Sequence, residues 1–288
     1  SLQLSSEGTI KRNLAANAEQ EPIPTDSNGF AVKVDNDSSF ILIDHFGNHS
    51  FVRVNEIPVD TEVPVNRYMK KPLPGHVIAM LPCNFDEDKC VVLISKSGVC
   101  KRMRISEIGP SKRPVISIDK SDSLVRGIVL NTKSTKDLLV FTRHGMGQRL
   151  DPNSIKITSP NAKGGNAFKL IPDDEIVGCY AISPEENQYL LYVTLKAKMR
   201  LNNIEYLPTR DSKHDKMINL ISLNERDRLL AVVGCNKFDK LQVFYGDGTK
   251  ETIAISSLKE GTMATKPTKV VKKAIENNTM NVVKVKLV

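Results

Sequence analysis

One motif recurs six times along this chain: an apolar, β-rich run, a short polar turn that usually contains glycine, and then a run carrying Lys or Arg. It reads VVLISKSGVCKRMRISEI from Val91 to Ile108. The same order appears in LQLSSEGTIKRN, FILIDHFGNHSFVRVNEI, LLVFTRHGMGQRLDPNSI, YLLYVTLKAKMRLNNIEYL and LQVFYGDGTKETIAISSL. A repeat of this length constrains the fold more than any single residue, because one supersecondary unit cannot bury its apolar face alone and must stack on the next. With the turns placed at Gly8, Gly47, Gly98, Gly145, Lys196 and Gly248, the spacings are about 39, 51, 47, 51 and 52 residues. That is close to one four-stranded propeller blade. Glycine suits a tight hairpin because the turn needs positive φ, which a residue without Cβ adopts at little cost. Lys196 is the exception: that turn runs through Leu195, Lys196 and Ala197, so either the alignment slips or the turn type differs.

Between the hairpins a second pattern returns: a stretch rich in Lys, Pro, Gly or Asn, a short strand, an acidic turn and another apolar strand. SPNAKGGNAFKLIPDDEIVGCYAIS, from Ser159 to Ser183, is the clearest copy, with counterparts in GPSKRPVISIDKSDSLVRGIVL and KKPLPGHVIAMLPCNFDED. Each repeat thus supplies about four strands. The expected fold is all-β: one propeller-like domain over residues 1–288, with six four-stranded blades. Pairing of the last strand, in Asn281–Val288, with an incomplete first blade is expected to close it and remove an exposed edge. Only Val270–Asn278, VVKKAIENN, shows a weak helical pattern, and Ala15–Asp35 is expected to be the most mobile loop.

With 40% hydrophobic and 26% charged residues the chain can bury a core. Its 41 Lys and Arg against 33 Asp and Glu give a formal charge of +8, which favours polyanionic partners where the excess clusters. The five cysteines, Cys83, Cys90, Cys100, Cys179 and Cys235, form no CxxC pair. Neither a disulfide framework nor a zinc site is indicated, and a reducing, cytoplasmic compartment fits. No run approaches the roughly 18 apolar residues of a membrane span, and the first residues lack the core of a signal peptide. The absence of an initiating Met suggests a piece of a longer chain.

The candidate nucleic-acid contacts are the cations that follow the turns: Lys11, Arg12, Arg53, Lys101, Arg102, Arg104, Arg149, Lys198 and Arg200. On a radial fold such positions are expected to share one rim and form a track. The linker cations Lys70, Lys71, Lys112, Arg113, Lys163 and Lys169 extend it. Bending a 20–30 bp site by 40–90° costs roughly 1–6 kcal/mol, so many weak phosphate contacts must combine. Each contributes about −0.9 to the slope of log affinity against log salt. Aromatics make up 5% of residues and Trp is absent, which argues against stacking single-stranded bases. His45 and His49, four apart on a hairpin, do not converge as they would on a helix, and no metal site is expected among them, His76, His144 and His214. Asp173, Asp174 and Glu175 read as a polar turn. No GxxxxGK[ST] loop, GxSxG elbow or HExxH helix occurs, so no catalytic residue or cofactor is assigned.

The ordered set LSSEGTIKR, LISKSGVCKRMRISEI, FTRHGMGQRLDPNSI and AKGGNAFKL followed by DDEIVG resembles the β-pinwheel that ends the A subunit of gyrase and of topoisomerase IV. The resemblance covers nearly the whole chain. It implies a six-bladed disc with strands exchanged between neighbouring blades and a basic rim that bends duplex DNA. It also implies a catalytic tyrosine outside this chain, and as partners the same subunit's catalytic core and a separate, ATPase-bearing subunit. In gyrase a box of the form QRRGGKG supports a full DNA wrap. No such string is present here, and the nearest segments are GPSKRP (109–114) and NAKGGN (161–166). This favours the topoisomerase IV branch, which uses the domain in relaxation, decatenation and chromosome segregation. A gyrase with a degenerate box and a protein-recruiting propeller are the alternatives, although the WD signature is missing from the repeats.

Overall fold

The computed structural model describes residues 1–5, 8–13, 30–69, 73–83, 88–132, 136–182, 185–210, 216–269 and 282–288. The helical pattern at Val270–Asn278, most of the Ala15–Asp35 loop, Lys70, Lys71 and His214 lie outside them.

The first repeat forms β1 (Leu2–Leu4), β2 (Thr9–Arg12) and β3 (Phe30–Val32). The second forms β4 (Ser39–Asp44), β5 (His49–Arg53), β6 (Val63–Pro64) and β7 (Val77–Pro82), and the third β8 (Lys89–Ser95), β9 (Val99–Arg104) and β10 (Leu124–Asn131). The fourth contributes β11 (Asp137–Thr142), β12 (Met146–Leu150), β13 (Gly165–Asn166) and β14 (Ile176–Ile182). From the fifth come β15 (Tyr189–Thr194), β16 (Lys198–Asn203), β17 (Thr209–Arg210), β18 (Ile218–Asn219) and β19 (Leu229–Cys235). The sixth adds β20 (Lys240–Tyr245), β21 (Lys250–Ala254), β22 (Thr268–Lys269) and β23 (Val282–Leu287).

The hairpin pairs its two strands antiparallel in every repeat, and the repeat's last strand flanks the first, as β7 does β4 and β10 does β8. The fourth strand has a different origin. It is lent by the segment after the next repeat's hairpin: β6 pairs β2, β13 pairs β9, β17 and β18 pair β12, and β22 pairs β16. In the third repeat the equivalent segment reaches back through a backbone bond from Val115 N–H to the Gly47 carbonyl at 2.9 Å. Among the described residues the resulting six sheets have three to five strands. The expected closure is corrected: β23 pairs β20 in its own repeat, while β1 is flanked by β2 and β3.

The chain divides into two compact units, Ser1–Ser134 with Ile155–Asn166, and Thr135–Ser154 with Ala167–Val288. The boundary falls inside the fourth repeat because its 155–166 segment is lent to the third. Within the first unit the uninterrupted apolar run of β4 serves two cores. Phe40 and Leu42 pack with Leu2, Leu4 and Ile10, whereas Ile41 and Ile43 pack with Val91, Leu93 and Met103. Successive side chains of a strand point to opposite faces, so a strand with a sheet on either side needs apolar residues at every position. β15 repeats the arrangement in the second unit, with Leu190 and Tyr192 in one core and Leu191 and Val193 in another. Each such side chain contributes about 1.5–3 kcal/mol when fully buried.

After the hairpins of the second to sixth repeats the chain makes a 3₁₀ turn: Val54–Glu56, Ile105–Glu107, Pro152–Ser154, Ile204–Tyr206 and Ile255–Ser257. The apolar-x-x-apolar spacing explains these turns, since residues three apart eclipse on a 3₁₀ helix. Val54 and Ile57 are buried together, as are Ile204 and Leu207. Among the described residues no helix is long and apolar enough to cross a membrane.

Candidate nucleic-acid interface

The hairpin turns fix where the candidate cations stand. In all six, the turn N–H bonds the carbonyl three residues earlier, from Gly8 to Ser5 at 3.1 Å through to Gly248 to Tyr245 at 3.0 Å. The five turn glycines have φ between 79° and 94°. In the fifth repeat this place belongs to Ala197, with φ 56° and its N–H on Thr194 O at 3.0 Å, and not to Lys196. A left-handed alanine costs about 1–2 kcal/mol, and the fully buried Ala197 methyl in the core beside Leu191 and Val193 offsets part of it.

The acidic turns clamp these hairpins. Asp122 Oδ1 accepts the Ser97 N–H at 3.2 Å, Asp174 Oδ1 that of His144 at 3.1 Å, and Asp227 Oδ1 that of Lys196 at 3.2 Å. In each case the donor directly precedes the positive-φ residue. The Asp173–Glu175 cluster is therefore a turn that holds a turn, as its sequence suggests.

Two of the nine post-turn cations, Lys101 and Arg102, are buried, and Arg149, Lys198 and Arg200 are partly buried against protein groups, so these five do not stand as an open phosphate track. Lys101, 2% exposed, donates from Nζ to the carbonyls of Val115 at 2.6 Å, Pro160 at 2.7 Å and Ala162 at 2.7 Å. Burial pushes its ammonium down to about 8, so it remains charged at neutral pH. Arg102, 3% exposed, donates to Thr132 O at 3.1 Å, Ile155 O at 3.4 Å and Cys90 Sγ at 3.3 Å. Arg149, at the matching place in the next hairpin, pairs with Asp137 at 2.6 Å and donates to Ile204 O at 3.2 Å and Leu207 O at 3.0 Å. Lys198 faces the buried Asp227 at 3.4 Å. The Arg200 guanidinium packs flat on Gly261, where a Cβ would overlap it, and its Nε is buried. Lys101, Arg102 and Arg149 share a physical reason: each strand is covered by the segment lent from the next repeat, whose carbonyls need donors. Lys11 and Arg12 are half-buried, Arg104 pairs loosely with Glu107 at 3.8 Å, and Arg53 is exposed.

Lys112, Arg113, Lys163 and Lys169 are exposed. The first three belong to the two glycine-containing loops 109–116 and 159–166, which meet in the first unit. His49, Glu107, the Gly109–Ser111 turn, Arg113–Val115, Pro160 and Asn161 line a groove of about 280 Å³ between them. His49 Nε2 lies 3.0 Å from the Gly109 carbonyl. Gly164 permits the approach, because a Cβ there would stand 2.6 Å from Val99 Cγ1 and 3.0 Å from Ile116 Cδ1. The sequence offered no direct signal for this convergence, at which Lys101 Nζ bonds carbonyls of both loops. His45 stacks on His76 with ring centroids 4.2 Å apart, away from His49.

Residues 91–131 and 136–183, the third and fourth repeats, match the family model described as DNA gyrase C-terminal domain, beta-propeller. The chain has a β-pinwheel fold, and these two repeats resemble the C-terminal domain of the gyrase A subunit. The pinwheel is 23% identical to the A subunit of DNA gyrase from Haloquadratum walsbyi over 49% of its own length and 17% of that relative. It is 24% identical to the A subunit of DNA topoisomerase 4 from Synechocystis sp. over 65% of its length and 23% of that relative. It therefore spans under a quarter of either protein. Its fold is that of the solved C-terminal domain of DNA topoisomerase IV, with a TM-score of 0.81 at 14% identity, covering 100% of this chain and 92% of that one.

Proposed function

We propose that this pinwheel binds duplex DNA and bends or wraps it as part of the A subunit of a topoisomerase IV. The observation that carries the reading is that Lys112, Arg113 and Lys163 are exposed on two loops whose backbones meet at Lys101, outside the internal bonding that engages Lys101, Arg102 and Arg149. Phosphate recognition asks for such a cluster, since contacts to the backbone depend on charge and spacing and not on sequence. The lack of a QRRGGKG string supports topoisomerase IV over gyrase. On this reading all six repeats act as one domain, its partners are the same subunit's catalytic core and a separate, ATPase-bearing subunit, the nucleoid is its location, and it needs no cofactor of its own.

The test is topological. Relaxed circular DNA is ligated in the presence of the 288-residue chain and its linking number measured after protein removal. A shift that grows with protein concentration supports bending with writhe, and a shift well short of one turn per molecule supports topoisomerase IV over gyrase. An unchanged distribution, together with no mobility shift on long duplex, overturns the proposal in favour of a protein-recruiting propeller.

A further inference from the structure

Three carbonyl oxygens from two separate loops converge on one buried ammonium. Val115 O belongs to the third repeat's own linker, and Pro160 O and Ala162 O to the linker of the fourth, and all lie 2.6–2.7 Å from Lys101 Nζ. An ammonium has three N–H donors, and here each has one acceptor, so the bonding capacity of the group is used completely. Carbonyl oxygens in this arrangement repel one another and tolerate close approach only around a cation. Lys112 and Arg113 stand three and two residues before Val115, and Lys163 directly follows Ala162. The buried charge therefore joins the backbones of the two loops that carry the exposed charges.

Resting on the reading of the pinwheel as a duplex-binding domain, we propose that Lys101 is a positioning residue: its ammonium ties the 109–116 and 159–166 loops together, so that Lys112, Arg113 and Lys163 engage phosphates as one preorganised cluster. Without the tie the three cations move independently, the ordering cost of seating all of them falls on the binding step, and one or two lose their phosphates. Lys101 itself touches no DNA.

The experiment compares salt titrations of duplex binding for the wild-type chain, Lys101→Met, Lys101→Arg, the triple variant Lys112→Gln/Arg113→Gln/Lys163→Gln, and the triple variant combined with Lys101→Met. Circular dichroism establishes that each is folded. Lys101→Met is expected to shallow the slope of log affinity against log salt by about 1–2, within the roughly 2.7 available from three phosphate contacts. Lys101→Arg, which keeps the charge and the donors, is expected to recover at least half of that loss. In the triple background Lys101→Met is expected to add nothing, because a residue acting through others has no effect once they are gone. If Lys101→Met does not fold, the proposal is judged on Lys101→Ala with propylammonium at constant ionic strength: restoration of the slope supports it, and no restoration overturns it. A folded Lys101→Met with the wild-type slope, or an effect of equal size in the triple background, overturns the assignment of Lys101 while leaving duplex binding intact. A wild-type chain that binds no duplex overturns the underlying reading, and the assignment with it.

Discussion

Asp122 caps the hairpin turn of its own repeat: Oδ1 accepts the Ser97 N–H at 3.2 Å and Oδ2 accepts the Ser97 hydroxyl at 2.6 Å. Asp174 with His144, and Asp227 with Lys196, repeat the backbone bond. Burial pushes the Asp122 carboxyl up, but the hydroxyls of Ser95 and Ser97 and the N–H groups of Ser123 and Ser97 together hold it below the usual carboxylate range.

A folded-state value depressed below the unfolded one contributes stability above the ordinary Asp range of about 4, which is lost as pH falls through the folded value. Asp122→Ala is therefore expected to lower the urea midpoint at pH 7, by about 1–3 kcal/mol of stability. The deficit is expected to shrink when the titration is repeated below about pH 4. A deficit independent of pH would show that the carboxylate charge has no part in the cap.

The turn glycines separate two effects of adding a methyl group. At Gly8 a Cβ would meet nothing within 4 Å, whereas at Gly145 it would stand 2.6 Å from the Ile221 carbonyl. Both residues have positive φ. Gly8→Ala is expected to cost only the backbone term of about 1–2 kcal/mol. Gly145→Ala adds a clash with backbone that cannot swing aside, and is expected to cost clearly more. Equal midpoints in a denaturant titration would refute the packing argument.

Arg149→Gln removes the ion pair to Asp137 and two bonds to the carbonyls of Ile204 and Leu207. Loss of one partner from such a nearly buried pair costs about 3 kcal/mol. Stability is expected to fall by that order, while the salt slope of duplex binding by the folded protein stays the same. A shallower slope would return Arg149 to the DNA surface.

The parts of the fold legible in the sequence are those fixed locally. Apolar runs such as Phe40–Ile43 define strands, and five of six turns carry the glycine that positive φ favours. Ala197 escaped because alanine carries no turn signal. The donation of β6, β13, β17, β18 and β22 to the preceding repeat was legible only through the family resemblance, since two-residue pairings leave almost no pattern of their own. The same non-local cover explains why Lys101 and Arg102 are buried. Lys101 and Arg102 are neighbours in β9 and must point to opposite faces, so one face could not have presented both. With the strand covered by the segments lent to it, neither is free. The exposed Lys112, Arg113 and Lys163 sit among Pro and Gly in linkers, where backbone irregularity keeps side chains on the surface.

The salt dependence of duplex binding by the Lys112→Gln/Arg113→Gln/Lys163→Gln variant bears most directly on the assignment of DNA contact to the loops. With three exposed cations each neutralising one phosphate, the slope is expected to fall by about 2.7 relative to wild type, with an unchanged urea midpoint. A slope equal to that of the wild type would place the contact elsewhere.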